Sequence, residues 1–318
     1  MVNKMWAVQQ QSWGGAEQLK LTEVERPVPL PTEVLVRVHA AGVNPVDVYT
    51  REGKAYMRAL SLPHIPGWDV AGVVEAVGYG VTRFRVGDEV FGMPWFPRAA
   101  GAYAQYIVAP SRHLALKPFG IDLVHAAALP LAGLSAWQML VDVARVQPGM
   151  RVLINGGAGG VGHLAIQIAK QRGAHVIATA RAEKHAFCRK LGADEVIDYT
   201  VTAVHERVCD ADVVIELVGG ETCLEMLKVL RKGGLLVSAQ AAWAPSLYDE
   251  AKALGVRASA YLVEPDWRGL ESLSALVESG VLQVHVQNVF ALRDVARAHD
   301  LIWQRRVAGK VVLSIPSG

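Results

Sequence analysis

"INGGAGGVGHLAIQIAK" (154–170) sets five glycines among the seven positions from Gly156 to Gly162 and then runs straight into an apolar helical pattern. Glycine is a poor residue with which to begin a helix, costing roughly 1 kcal/mol against alanine in a helix interior. Bare backbone at such a place implies that something approaches it closely. Gly157, Gly159 and Gly162 spell GxGxxG, after the branched run "RVLIN" (151–155) and at the head of the helix "VGHLAIQIAK". The motif has weight only in that strand–turn–helix setting. There the first glycine permits the tight turn, the second lets backbone approach a pyrophosphate, and the third lets helix and strand pack closely. The backbone of Gly157, Ala158, Gly159, Gly160, Val161 and Gly162 is therefore the candidate cradle for a dinucleotide, with free amides at the helix start facing the anion. Val161, Leu164, Ala165 and Ile168 recur at helical spacing and are expected to face a sheet. A glycine-rich turn without a ligand is the competing reading, and the βα units around the loop argue against it.

Working outward, "HVIATA" (175–180), "EVIDY" (195–199), "ADVVIELVG" (211–219), "LLVSAQ" (235–240) and "VRASAYLV" (256–263) read as strands. The helical stretches "AEKHAFCRKLG" and "CLEMLKVLRKGG" lie among them. Short strands alternating with helices imply a parallel sheet built from βαβ units. The stretch "DLVHAAALPLAGLSAWQMLVDVA" (122–144) reads as a helix with an internal proline. Residues 1–120 differ: "EVLVRVHAAGV" (33–43), "DVAGVVEAVG" (69–78), "GDEVFGM" (87–93) and "GAYAQYIVAP" (101–110) read as strands separated by Pro and Gly clusters. The tail "ALRDVARAHDLIWQRRVAGKVVLSI" (291–315) reads as a helix ending near Gly309, then a strand. The expected fold is α/β, with a Rossmann-type domain at 121–265 inserted into a β-rich domain made of 1–120 and 266–318.

The chain has 318 residues, 52% of them hydrophobic, enough for a sizeable core. Its 32 basic and 30 acidic residues leave a net charge of +2 and no block of one sign. Nucleic acid and anionic membrane are thus excluded as expected partners, since both call for a clustered basic face. The start, "MVNKMWAVQQQSWGG", does not read as a signal peptide. The longest apolar stretch, "AAALPLAGLSA" (126–136), is far shorter than a span of about 20 residues. The three cysteines, Cys188, Cys209 and Cys223, form no CxxC pair, which argues against a disulfide framework or a cysteine zinc site. A reducing, cytoplasmic setting is expected.

The choice of dinucleotide rests on the tip of the second strand. NAD selection needs an acid about 20 residues after the glycines. At the tip of "HVIATA" stands Arg181, with Lys184 one helical turn on, and these suit a 2′-phosphate. Glu183 competes with that reading, as does a merely solvated helix start. NADPH is the expected cofactor.

The whole chain, in order, resembles the medium-chain dehydrogenase/reductase superfamily, in its zinc-free quinone oxidoreductase branch, the relatives of zeta-crystallin. The resemblance rests on "GVNPVDVY" (42–49), "PGWDVAGVVEAVG" (66–78), "GAYAQY" (101–106), "ALPLAGLSAW" (128–137), "GGAGGVG" (156–162), "LGADEVIDY" (191–199) and "GKVVL" (309–313). It implies a GroES-like fold for the β-rich domain. The zinc enzymes of the superfamily carry a cysteine where this chain has Asn44 and a His–Glu pair where it has Trp68–Asp69. They also carry a lobe with four cysteines, and this chain has none before Cys188. The resemblance therefore implies no metal. It implies hydride transfer to an electron-poor acceptor, a quinone or an α,β-unsaturated carbonyl, with hydrogen-bond donors answering the charge that develops on oxygen.

Asn44, Tyr49 and Tyr56 match polar positions that line the acceptor cleft in similar enzymes. Asn44 also reads as a turn residue before Pro45, and the tyrosines as ordinary packing. Asp47 is expected to brace the loop. Ser135 matches a hydroxyl position near the nicotinamide ribose and competes with a helix-start cap. Tyr199 matches a contact to the 2′-phosphate. Asn44, Tyr49 and Ser135 are expected near the nicotinamide in the cleft between the domains. The resemblance also implies a homodimer joined at the strand "VRASAYLV". The pair Tyr248 and Lys252 in "YDEAK" imitates a short-chain dehydrogenase motif, but the glycine loop lies too far into the chain for that family, so an exposed helical pair is expected. No GxSxG elbow is present. A non-catalytic NADPH-binding protein of the same fold is the alternative function. The acceptor's identity depends on loops such as 54–63 and 242–255.

Overall fold

The computed structural model describes residues 4–240, 242 and 244–316. Trp243, in the second of the two loops just named, lies outside the described residues. The chain folds as two compact units, Met1–Leu134 with Glu264–Gly280 and Val284–Gly318, and Ser135–Val263 with Val281–Gln283. The expected boundary after residue 120 therefore moves to 134, and that after 265 moves to 263. The cause is local. Pro130 breaks the expected long helix into Leu123–Ala127 and Pro130–Trp137, followed by a wider turn over Gln138–Val143. The first piece packs on strands Glu33–Val43 and Asp69–Val77. Leu131, freed at the start of the second piece, donates its N–H to Asp69 Oδ1 at 2.8 Å.

The first unit is a seven-stranded sheet plus a ribbon. Its sheet runs Val286–Ala291, Lys310–Ser314, Glu33–Val43, Asp69–Val77, Glu89–Gly92 and Leu114–Leu116, with Tyr106–Pro110 also paired to Glu33–Val43. The tail strand Lys310–Ser314 pairs antiparallel with residues 40–43, so the end of the chain returns to this unit. Val34, Val36, Val38, Val70, Val74 and Leu313 fill its core. The expected strand at 101–110 is half as long. Tyr103 N–H bonds Pro66 O and Val8 N–H bonds Tyr103 O, so residues 102–105 serve the ribbon Lys4–Gln10/Leu19–Glu25 and the Pro66–Gly67 turn instead.

The second unit is a parallel six-stranded sheet in the order Glu195–Ile197, His175–Thr179, Arg151–Asn155, Ala211–Glu216, Leu230–Ser238, Arg257–Ala260. This is the 3-2-1-4-5-6 arrangement of Rossmann sheets, and its ligand crevice opens where the order reverses, beyond the C-terminal end of the first strand. That strand is Arg151–Asn155, so the glycine loop leaves it at the switch point. The expected helix at 223–234 stops early, with Glu221–Glu225 helical and the next strand already begun at Leu230. No helix among the described residues is long and apolar enough to cross a membrane.

Candidate cofactor and active site

The glycine loop divides its glycines by what the protein itself requires. A Cβ on Gly157 would lie 2.7 Å from Ala178 Cβ, and one on Gly162 would lie 2.2 Å from Gly156 O. Those two are needed for strand–helix packing alone. A Cβ on Gly159 would meet only Gly156 O at 3.4 Å, an ordinary contact. The fold does not need glycine there, whereas a close-lying ligand would. The helix Gly162–Gln171 begins with Val161 in helical conformation and no side chain capping it. Its first amides thus meet no capping side chain. Ala158 is buried, Gly160 and Val161 half-buried. Leu164, Ala165 and Ile168 are fully buried, as their spacing requires.

Below the loop a buried polar chain fixes the strand ends. Thr179 accepts from Gly156 N–H at 2.9 Å and donates to Asn155 Oδ1 at 2.7 Å. Asn155 Nδ2 donates to Glu216 Oε1 at 3.0 Å, and Glu216 also accepts from the amides of Val218 and Gly219. Thr179, Asn155 and Glu216 were not singled out by the sequence. They tie the tips of the first, second and fourth strands into one rim.

Arg181 follows the second strand and is exposed, as is Glu183, while Lys184 is half-buried and Tyr199 is 49% exposed. The neighbouring residues are tied together: Ala180 N–H bonds Ile197 O, and Ala182 N–H bonds the Asp198 side chain at Oδ2, both at 3.0 Å. Burial pulls Lys184 below the usual lysine range, and nearby Arg181 adds to this while Glu183 opposes it. Asp198, just after the third strand, is a carboxylate the sequence reading missed here. Each of its oxygens already accepts from a protein donor, Ala182 N–H on one and Thr200 on the other.

In the first unit, Asn44 precedes the helix Pro45–Arg51 and has Pro45 at its first turn, where a missing N–H costs nothing. Asp47 braces it, its Oδ2 accepting from Asn44 N–H at 2.7 Å and from Tyr103 O–H at 2.9 Å. The Asn44 amide is 2% exposed and held at both ends. Its Nδ2 donates to Asp69 Oδ2 at 2.9 Å, and Lys310 Nζ donates to its Oδ1. Lys310 is itself buried, 3.5 Å from Asp69 Oδ2 and 3.4 Å from Val43 O. Burial pulls the Lys310 ammonium down and pushes the Asp69 carboxyl up, while each opposes the shift in the other. Tyr49 accepts from Arg305 Nη2 at 2.9 Å and meets Trp303 edge-on. Tyr56 has φ +54°, unusual for a bulky residue, and packs edge-on against Trp68 and Phe96. Burial raises its hydroxyl above the usual range. Trp68 Nε1 donates to Arg98 O at 2.7 Å.

Ser135 is buried inside the helix Pro130–Trp137, five residues past its start, so it is not a helix-start cap. Tyr248 and Lys252 lie on the helix Leu247–Ala253 and are exposed, as expected of a surface pair. No group of three or more His, Cys, Asp and Glu able to hold a metal exists among the described residues.

Comparison with known proteins matches residues 30–119 to the alcohol dehydrogenase GroES-like domain and residues 191–313 to the zinc-binding dehydrogenase model. The chain is 36% identical to the chloroplastic NADPH-dependent alkenal/one oxidoreductase of Arabidopsis thaliana, over 95% of this chain and 77% of that protein. It superposes on the quinone oxidoreductase of Coxiella burnetii with a TM-score of 0.95 and 35% identity, covering 99% and 100% of the two chains. A mycobacterial protein solved in complex with NADPH gives a TM-score of 0.87 at 31% identity, covering 98% and 99%.

Proposed function

The chain belongs to the medium-chain dehydrogenase/reductase superfamily, in its quinone oxidoreductase branch, and on that premise we propose that it is a zinc-independent, NADPH-dependent reductase of quinones or α,β-unsaturated carbonyls. The observation that carries the metal-independent reading is the position of Lys310. Its ammonium is bonded to Asn44 and close to Asp69, two of the three residues that stand where the zinc enzymes carry a cysteine and a His–Glu pair. A dication would be repelled there. The third, Trp68, offers an indole N–H, which donates and cannot ligate. These residues do not fit zinc.

The glycine loop does fit a dinucleotide. Gly157, Ala158, Gly159, Gly160, Val161 and Gly162 would hold the pyrophosphate, Ser135 would lie by the nicotinamide ribose, and Arg181, Lys184 and Tyr199 would hold the 2′-phosphate. The bound cofactor supplies a hydride to an already electron-poor carbon. The residues then answer the negative charge that develops on the acceptor oxygen. Tyr49 and Tyr56 are the hydroxyl donors assigned to that task. Asn44 has a second amide N–H beyond the one given to Asp69, and the Lys310 bond to its oxygen strengthens it as a donor.

Following NADPH absorbance across quinones, enals, enones and enoyl thioesters tests the activity. Turnover of at least one class is expected. Tight NADPH binding with no turnover would return the non-catalytic alternative. Charge-assisted bonds contribute about 1.5–3 kcal/mol each when well formed. Lys184→Ala is therefore expected to cut kcat/KM for NADPH by roughly tenfold, at about 1.4 kcal/mol per tenfold, with NADH little changed. An unchanged cofactor ratio would remove the phosphate role.

The strand Arg257–Ala260 ends the six-stranded order, and bare edges are usually covered or paired. The purified protein is expected to scatter light as a homodimer and to carry no stoichiometric zinc. A monomer at micromolar concentration would overturn the first expectation, and a tightly held zinc the second. Cys188, Cys209 and Cys223 are all free thiols, which supports a cytoplasmic setting.

A further inference from the structure

Beside the helix Pro45–Arg51 lies a small cavity whose polar wall is Asp47, Thr50 and His64, and whose apolar wall includes Leu60, Ile65 and Trp68. The three polar residues are 1%, 2% and 7% exposed. Each has a buried atom without a protein partner: Asp47 Oδ1, Thr50 Oγ1 and His64 Nδ1. Buried polar groups are rarely left so, and three on one small cavity match the three or so bonds that an internal water makes. Asp47 Oδ2, in contrast, is fully engaged by Asn44 N–H and Tyr103 O–H.

We propose that this cavity is an internal water site through which the Asp47 carboxyl exchanges protons with solvent. A water there donates to Asp47 Oδ1 and accepts from Thr50 O–H, with His64, the most exposed of the three, on its outer side. Protonation of Asp47 takes one proton from this water, which regains one from His64 Nδ1 as the other ring nitrogen of His64 takes one up from solvent; no electrons move, and only O–H and N–H bonds break and form.

The charges facing Asp47 come from several elements. Asp69 on its strand, Lys310 on the tail strand and Tyr103 in its loop act on it directly. His299, on the helix Val295–Trp303, meets Tyr103, His64 shares the cavity, and Arg51 lies one turn on along the helix Pro45–Arg51. Burial first, and then Asp69, push the Asp47 carboxyl up to about 7, against the Asn44 amide, the Tyr103 hydroxyl and Lys310. Burial holds His299 down at about 3 and lowers His64, so both are neutral there. Ionisation of Asp47 adds a negative charge to the centre where Lys310 already faces Asp69 and Asn44.

The test needs neither cofactor nor acceptor, so its failure is separate from failure of the proposed activity. Infrared difference spectra of the full-length protein are taken across neutral pH and after mixing into D2O. A protonated-carboxyl band is expected that disappears as pH rises through about 7, shifts within the mixing time in D2O, and is lost in Asp47→Asn. Tyr103→Phe, which removes one bond to Oδ2, should displace the band and identifies it even where Asp47→Asn does not fold. Thr50→Val keeps the side-chain shape and removes the hydroxyl; the D2O shift should then become slow enough to follow. A band that persists in Asp47→Asn, no band at all, or an unslowed shift in Thr50→Val would each overturn the proposal.

Discussion

Gly159→Ala is expected to fold as well as the parent protein and to bind NADPH at least about tenfold more weakly, a loss of some 1.4 kcal/mol or more. The added methyl meets nothing in the protein closer than Gly156 O at 3.4 Å. Stability should therefore stay within about 0.5 kcal/mol, or rise slightly because alanine restricts the unfolded chain. The methyl would instead project where the pyrophosphate has to approach. Gly162→Ala should behave differently. Its methyl would sit 2.2 Å from Gly156 O and 2.8 Å from Gly157 C, both backbone atoms that cannot turn aside. Forcing the helix off the strand costs about 1–3 kcal/mol, so this variant should lose stability and cofactor together. Isothermal titration with NADPH, beside urea unfolding of the cofactor-free protein, separates the two. Equal affinity in Gly159→Ala would show that the loop does not cradle the pyrophosphate.

That division among glycines shows where sequence reading works. The strand–glycine–helix order is local, and so are the alternating branched residues of 33–43 and 69–77; the observed strands begin where those runs begin. Other elements carry weaker local signals. The strand Lys4–Gln10 ends in glutamines and buries Met5 and Ala7 on one face and Val8 and Gln10 on the other, so no simple alternation marks it and it is defined by its partner Leu19–Glu25 more than by its own composition. The helix Trp267–Glu278 did carry a signal: Asp266 caps it by accepting from Arg268 and Gly269 N–H, and Leu270, Leu273, Ser274 and Val277 are buried at helical spacing. For the candidate site, the sequence names residues one by one but not their arrangement. Lys310 stands in "GKVVL" without any local hint that it reaches Asn44 at the other end of the chain. Only the antiparallel pairing of residues 40–43 with 311–314 brings them together. His64 and Asp198 likewise acquire their roles from neighbours on other elements.

Lys310→Met is expected to destabilise the first unit by about 3–5 kcal/mol, because it strands the buried Asp69 carboxylate without its counter-charge. Asp69 is 0% exposed, and its remaining partners are the Asn44 amide and Leu131 N–H. For a unit of this size the loss corresponds to a fall in melting temperature of roughly 6–20 °C. Its pH dependence has a definite sign. Burial already raises the Asp69 carboxyl above its ordinary range, and loss of Lys310, which opposes that shift, raises it further. A carboxyl that is harder to ionise folded than unfolded makes the unfolded state the one that releases its proton first as pH rises. Stability therefore falls from the ordinary carboxylate range up to the folded-state value, and the variant's deficit should be larger at pH 8 than at pH 5. Asp69→Asn added to Lys310→Met removes the stranded charge and should recover most of the loss, since replacing both partners of a buried pair is often near neutral. Thermal melts of the parent, the single variant and the double variant at the two pH values read all three effects. A shift of less than about 2 °C in the single variant would mean that Lys310 is not the counter-charge of Asp69. In that case the cluster would offer no charge to repel a metal dication.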